Sequence, residues 1–277
     1  MSTLQRKIDF ALHLLQSIPQ DGPIELSYSG GKDSDVILQL AKESGIPFEP
    51  IYKQTTIDPP GTTAHVKEVG ARIVRPEKSF LQLVRENGLP TRFRRFCCEV
   101  LKENKIYDRA IQGIRRCEST KRAARYHEPE ICRQYSKTSK VRVYLPILEW
   151  SDKDVEQFIM DRGIHCAPIY YDRGGQFHVE RRLGCICCPM ASQKKLAEAY
   201  KQYPRFLKAE IDALAVYQES RPDRASARRF RNPYNQMFYH IFCDSLEQYE
   251  TRVGGGLFPD GAVDTKAFLE KYFNIEL

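Results

Sequence analysis

The chain has 277 residues, of which 42% are hydrophobic and 29% charged, an ordinary balance for a folded globular enzyme that excludes a disordered chain. Its apolar runs, such as residues 143–148, are far too short to cross a bilayer, so no membrane partner is expected. A net charge of +7, from 43 basic and 36 acidic side chains, suits either simple solubility or affinity for polyanions such as nucleotides and nucleic acid. Residues 1–6 lead into a polar amphipathic segment rather than a secretory signal, which makes a cytoplasmic location the default expectation.

Taken in order, Ile8, Leu12, Leu14 and Leu15 recur at helical spacing and predict a helix over residues 5–18, broken by the Pro19–Pro23 stretch. Residues 24–28 alternate as a short strand. A polar glycine turn follows, then a helix over 35–44 that Gly45 closes, and a second strand over 48–52. Asp58-Pro59-Pro60-Gly61 breaks the chain before a helix over 62–70, a strand at 72–74 and a helix over 79–87. A strand is expected within 105–114 and another over 141–150, the latter irregular because of Pro146. Ser151 with Asp154 makes a near capping box for a helix over 151–162. From residue 191 the chain reads as helical apart from the Gly254-Gly255-Gly256 loop. Alternation over the first 165 residues or so predicts an α/β fold, a Rossmann-like parallel sheet with helices on both faces. The expected organisation is one domain over 1–190, including the cysteines, and a helical extension over 191–277.

Ser29-Gly30-Gly31-Lys32-Asp33-Ser34 lies between the first strand and its helix. The glycines let backbone amides approach a ligand, the helix start supplies unpaired N–H donors, and Lys32 with the two hydroxyls completes an anion cradle. It is not the P-loop spelling, because Leu26 stands where that motif needs its first glycine. The segment resembles the pyrophosphatase loop of the adenosine nucleotide α-hydrolases, the superfamily of PP-loop ATP pyrophosphatases and phosphoadenosine-phosphosulfate reductases. That resemblance implies an adenosine nucleotide as partner, ATP with Mg²⁺ as substrate, and attack at the α-phosphate with loss of pyrophosphate.

Gly113-Ile114-Arg115-Arg116-Cys117-Glu118-Ser119, with Arg122 beyond, follows a strand end. Guanidinium groups there suit phosphate or sulfate, although Arg115 and Glu118 at helical spacing also fit a plain ion pair. The stretch is similar to the Gly-x-Arg-x-x-Glu-Ser segment of phosphoadenosine-phosphosulfate reductase relatives, which implies nucleotide contacts at Gly113, Arg115, Glu118, Ser119 and Arg122, and transition-state roles for Lys32 and Arg115.

Five of nine cysteines fall in two clusters: Cys97-Cys98, and Cys185, Cys187 and Cys188 between Gly184 and Pro189. Separated pairs supply four thiolates for an iron–sulfur cluster or a structural zinc, and spacing alone does not choose. A Cys-Cys pair with a distant Cys-x-x-Cys resembles the adenylylsulfate reductases, which implies that Cys97, Cys98, Cys185 and Cys188 hold a [4Fe–4S] cluster. Cys187 is then a spare thiol able to carry sulfur, and Cys117, Cys132, Cys166 and Cys243 are expected to be small buried groups.

The resemblance covers about residues 25–190 and departs at two points. No cysteine follows Cys243, where sulfonucleotide reductases carry a nucleophile near the C-terminus, and the Gly-Gly-Lys-Asp spelling fits the ATP-splitting members. ATP-dependent adenylation of an acceptor coupled to sulfur transfer is therefore expected ahead of reduction of a sulfated nucleotide with Cys243 as nucleophile. A third possibility is a non-catalytic nucleic-acid-binding protein with a structural metal. A tRNA or DNA acceptor and a sulfur-donor protein are the partners this implies. The arginines at 221, 224, 228, 229 and 231 fit a solvated helix face ahead of a nucleic-acid contact.

Overall fold

The computed structural model describes residues 3–103, 106–134, 140–254 and 262–277. Lys105 of the expected 105–114 strand, and Gly255 and Gly256, lie outside these residues. In chain order the elements are α1 (Thr3–Gln16), β1 (Glu25–Tyr28), α2 (Lys32–Ser44), β2 (Glu49–Lys53), α3 (Thr62–Glu68), β3 (Arg72–Val74), α4 (Phe80–Asn87), α5 (Phe96–Leu101) and β4 (Arg109–Ile111). There follow α6 (Thr120–Arg125), β5 (Glu130–Gln134), β6 (Lys140–Tyr144), α7 (Asp152–Asp161), α8 (Gln193–Gln202), α9 (Pro204–Ser220), α10 (Ala225–Phe230), α11 (Pro233–Phe242), α12 (Leu246–Val253) and α13 (Thr265–Phe273). They pack as two compact units, Met1–Pro76 with Glu99–Gly184, and Glu77–Cys98 with Cys185–Leu277. The division therefore differs from a single cut at residue 190: α4 and all five clustered cysteines go with the helical unit.

The first unit holds a six-stranded sheet in the order β3-β2-β1-β4-β6-β5. All its neighbours run parallel except β5, which pairs antiparallel with β6 at the edge. Side-chain alternation sorts the strand residues between two cores. Leu26, Tyr28, Ile111 and Tyr144 join α1, α2 and α7 in one apolar cluster. Ala110, Val141 and Val143 join Tyr126 and Leu148 in another. Glu25 and Ser27 leave β1 by the face opposite Leu26, where the fully buried Glu25 carboxylate is paired with Lys53 Nζ at 3.0 Å and accepts from Ser27 Oγ at 2.8 Å. A buried charge held this way does not stand uncompensated.

Helix ends follow local chemistry. Ser79 with Gln82 and Ser151 with Asp154 form capping boxes, and Gly45 ends α2 at φ 73°. The expected strand over 141–150 stops at Tyr144, two residues before Pro146, which has no N–H to give the ladder. Strand β5 was not expected: it exposes one face, alternates over only five residues and carries Cys132 outward. Cys117 is exposed too, whereas Cys166 and Cys243 are buried as expected.

The second unit is helical. Helix α4 packs against α9, with Phe80 and Phe206 rings 6.0 Å apart. Gly88 is required where α4 ends, since a Cβ there would sit 2.9 Å from the Tyr217 ring at φ 75°. All five arginines around α10 are exposed, as a solvated face requires. At the centre, Glu210 is 2% exposed and accepts from Tyr200 Oη at 2.7 Å. Burial pushes its carboxyl up from 4.5 to about 7. Because the folded form holds its proton longer than the unfolded chain, Glu210 contributes fully below pH 4.5 and loses that contribution as pH rises to about 7. Denaturant unfolding followed against pH is expected to show stability falling by roughly 3 kcal/mol across this window. Glu210→Gln should flatten that slope and be the more stable protein at pH 8.

Candidate functional site: the phosphate loop and the cysteine cluster

The chain reverses its direction of travel across the sheet at β1: β2 and β3 lie to one side, and the chain returns to β4 on the other. In open parallel sheets the carboxyl ends of the strands at such a reversal form a crevice. Residues 29–34 fill it. Gly30 takes φ 76°, and Gly31 starts α2 without a side-chain cap. Ser34 instead turns inward, its Oγ donating to the Gly31 carbonyl at 2.6 Å, while Ser29 Oγ donates to Ser34 Oγ at 3.2 Å.

The second motif closes on this loop through backbone approach. A Cβ on Gly113 would lie 2.8 Å from the Asp33 carbonyl oxygen, so only glycine lets the end of β4 meet the loop. Arg115 is 1% exposed and does not face the crevice. Its Nε donates to Asp33 Oδ1 at 2.7 Å and its Nη2 to Asp152 Oδ1 at 2.8 Å, while Nη1 reaches Cys117 Sγ and the Trp150 carbonyl. The expected transition-state role of Arg115 is therefore replaced by a positioning one, because every edge of the guanidinium is already engaged by the protein. Ser119, expected to touch nucleotide, caps α6 by accepting from Arg122 N at 3.2 Å.

What remains open is a cleft of about 310 Å³ lined by Ser29, Gly31, Lys32, Asp33, Ser34, Gly113, Glu118 and Arg122, among others. Arg182 and Tyr170 also line it, and neither stands out in the sequence. Lys32 is buried, its Nζ 3.2 Å from Asp33 Oδ2 and 5.5 Å from the Tyr170 ring centre. Burial pushes the Tyr170 hydroxyl up to about 12, so it stays a neutral donor. Arg122 and Arg182 share one carboxylate, Glu118. Burial and the neighbouring Arg182 charge hold the Arg122 guanidinium below its usual range. Two cations against one anion leave a surplus positive charge on the cleft wall, which is a demand for an anion. A smaller cleft of about 160 Å³ adjoins it, sharing Ser27, Ser29 and Gln112 and reaching Lys53, Thr55, Asp58 and Lys102. Asp58 shapes the turn there, accepting from Thr55 N at 2.9 Å and Thr55 Oγ1 at 2.7 Å.

Behind the loop, Tyr28, Asp35 and His65 form a buried hydrogen-bonded group that sequence reading misses. The Tyr28 hydroxyl donates to Asp35 Oδ1, and His65 Nε2 lies 3.0 Å from that oxygen and 2.9 Å from Tyr28 Oη. Burial raises the Asp35 carboxyl despite these partners.

In the second unit, Cys97 and Cys98 open α5, and Cys185, Cys187 and Cys188 lie in a turn in which Cys187 takes φ 49°. The Cys97 thiol is pushed far up by its hydrogen bond with Cys98, by burial, and by the charges of Cys98 and Cys188. Cys97, Cys98 and Cys188 thus lie near enough to oppose one another's ionisation. Cys187 is 3% exposed, and burial followed by the Glu210 charge raises its thiol. Cys243 is likewise buried and raised, which disfavours it as the attacking thiol of a reductase.

A parallel sheet with an anion cleft at its switch point defines a nucleotide-binding α/β protein. Residues 23–191 match the phosphoadenosine phosphosulfate reductase domain, and the chain belongs to that family. It is 26% identical over 266 residues to sulfate adenylyltransferase subunit 2 of Alkalilimnicola ehrlichii, covering 82% of both chains. It is 29% identical over 204 residues to an uncharacterized protein of Methanocaldococcus jannaschii, covering 69% of this chain and 47% of the relative. A second uncharacterized protein of that organism is 27% identical, with 42% of its length covered, so the chain spans under half of either. Among solved structures, a phosphoadenylyl-sulfate reductase from Candida auris is 14% identical with a TM-score of 0.46, covering 67% of this chain and 96% of that one.

The two arginines can be told apart by experiment. Arg115→Ala should lower unfolding stability by about 2–4 kcal/mol in denaturant titration, because it leaves Asp33 and Asp152 without their shared cation. Arg122→Ala should change stability by under about 1 kcal/mol. Its cost should fall instead on nucleotide affinity, roughly tenfold or more by calorimetry.

Proposed function

We propose that the chain is a PP-loop ATP pyrophosphatase that adenylates an acceptor and couples this step to sulfur transfer. The observation that supports this reading best is the cleft at the end of β1. Loop backbone, Lys32 and the Arg122–Arg182 pair face one space there with more positive charge than the protein neutralises. A triphosphate supplies the missing anion.

In the proposed reaction the 29–34 loop and the Lys32 ammonium hold ATP with Mg²⁺. An acceptor oxygen attacks the α-phosphorus, the bond to the β-phosphate bridging oxygen breaks, and pyrophosphate leaves. Lys32 and Arg122 offset the charge gathering on the phosphate oxygens. Arg115 acts at one remove, fixing the Asp33 carboxylate and with it the start of α2. In the second half a sulfur nucleophile from a donor protein forms its bond at the activated centre, and AMP leaves with the former acceptor oxygen. The basic surplus of the chain suits a nucleic-acid acceptor, a tRNA base or the DNA backbone.

Cys97, Cys98, Cys185 and Cys188 are proposed to hold a [4Fe–4S] cluster, with zinc as the alternative. When bound, such a cluster supplies a redox-active or sulfur-handling centre; the chain's own contribution is four thiols, two from α5 and two from the 185–188 turn, with Cys187 buried beside them.

Anaerobically purified protein given ATP is expected to release pyrophosphate and AMP, with Lys32→Ala lowering turnover by about a hundredfold or more. Sulfite from a sulfated nucleotide, with ATP untouched, would replace this reading with a reductase. Cysteine-held iron should show as broad visible absorption lost in Cys188→Ser, whereas zinc would leave the visible spectrum blank.

A further inference from the structure

We propose a second metal site, for a divalent transition-metal ion of the zinc type, built from His65, Glu68 and His165 behind the phosphate loop. One ligand atom from each of these residues lies within 4.8 Å of the others. His65 and Glu68 stand three apart on α3, a spacing that puts both on one face of a helix. His165 comes from the segment after α7, and its ring is stacked on Tyr171 at 5.7 Å and 16°, which restrains its orientation.

The buried imidazole carries the argument. His65 is 3% exposed, and its Nδ1 has no hydrogen-bond partner. Its other nitrogen is fully engaged by Asp35 Oδ1 and the Tyr28 hydroxyl. With Tyr28 donating to Asp35, Nε2 is the ring nitrogen that donates to that oxygen pair, which in the neutral imidazole puts the lone pair on Nδ1. A buried acceptor left unsatisfied is unfavourable, and a metal ion meets that demand. A carboxylate that fixes the far nitrogen of a ligating histidine is the outer-shell arrangement metal sites use to set tautomer and ring angle. Two imidazoles and one carboxylate match three-ligand zinc sites with an open fourth position. Glu68 and His165 are exposed, so the ion enters from solvent.

The site shares no residue with the cysteine cluster and does not rest on the adenylation reading. Its place does suggest a task. Asp35 lies in the first turn of α2, Tyr28 immediately precedes the loop, and the Thr62 side chain would touch a Cβ on Gly30 at 3.1 Å. An ion on His65 and His165 braces α3 and the 162–167 segment as the wall behind that loop.

The test uses the full chain with its cysteine-held metal in place, equilibrated with Zn²⁺, desalted and measured for metal content. Wild type is expected to retain one more zinc per chain than either His165→Ala or Glu68→Gln, with the cysteine-held metal unchanged in all three. Co²⁺ should give ligand-field absorption without new thiolate charge-transfer bands, lost in His165→Ala. Both substitutions are at exposed side chains, so the metal-free proteins should unfold at the wild-type midpoint. Asp35→Asn should weaken zinc about ten- to a hundredfold while leaving all three ligands present. Equal zinc content in wild type and both ligand variants, or a cobalt spectrum indifferent to His165→Ala, would overturn the proposal.

Discussion

A guanidinium buried to 1% exposure organises the nucleotide half of this protein. Arg115 reaches it from the end of β4 and bridges Asp33, at the start of α2, to Asp152, at the start of α7. Three chain segments far apart in sequence therefore share one cation. Removing a charge of this kind from water is costly, and only its complete set of acceptors makes the burial tolerable. The glycine at 113 belongs to the same constraint, since the backbone must come against the Asp33 carbonyl before the arginine can reach past it. The loop is thus held from behind by charge and from the side by contact, and its residues line the cleft.

The same division between holding and binding explains the second arginine. Arg122 and Arg182 meet a single carboxylate and line the cleft. One motif of seven residues supplies the clamp, and the helix it caps carries a cation to the cleft wall. Function in this family's fold resides in such placements rather than in the sheet, which serves many chemistries.

Much of the framework is legible in the local pattern of the sequence. Period-2 and period-3.6 patterns placed α1, β1, α2, β2 and α7 to within a few residues, and the glycines at 30 and 31 marked the loop because few other residues permit its backbone. Local signal and role diverge at particular residues. Arg115 looks like a phosphate ligand because arginine after a strand-end glycine suits one; burial gave it a different task. Strand β5 is half exposed and short, so its pattern was too faint. His65 sits in an unremarkable stretch, and nothing local shows that Asp35 and Tyr28 close around it.

The sequence by itself determined the strand–helix alternation and the phosphate loop, because each depends on residues within a turn or two of one another. Tertiary structure alone decided which groups are spent inside and which face a ligand. It buried Cys187, exposed Cys117 and Cys132, and joined His65 to Glu68 and His165. It also placed α4 with the helical unit rather than with the sheet. Those outcomes turn on desolvation and on contacts across a hundred residues or more, and neither leaves a mark in local spacing.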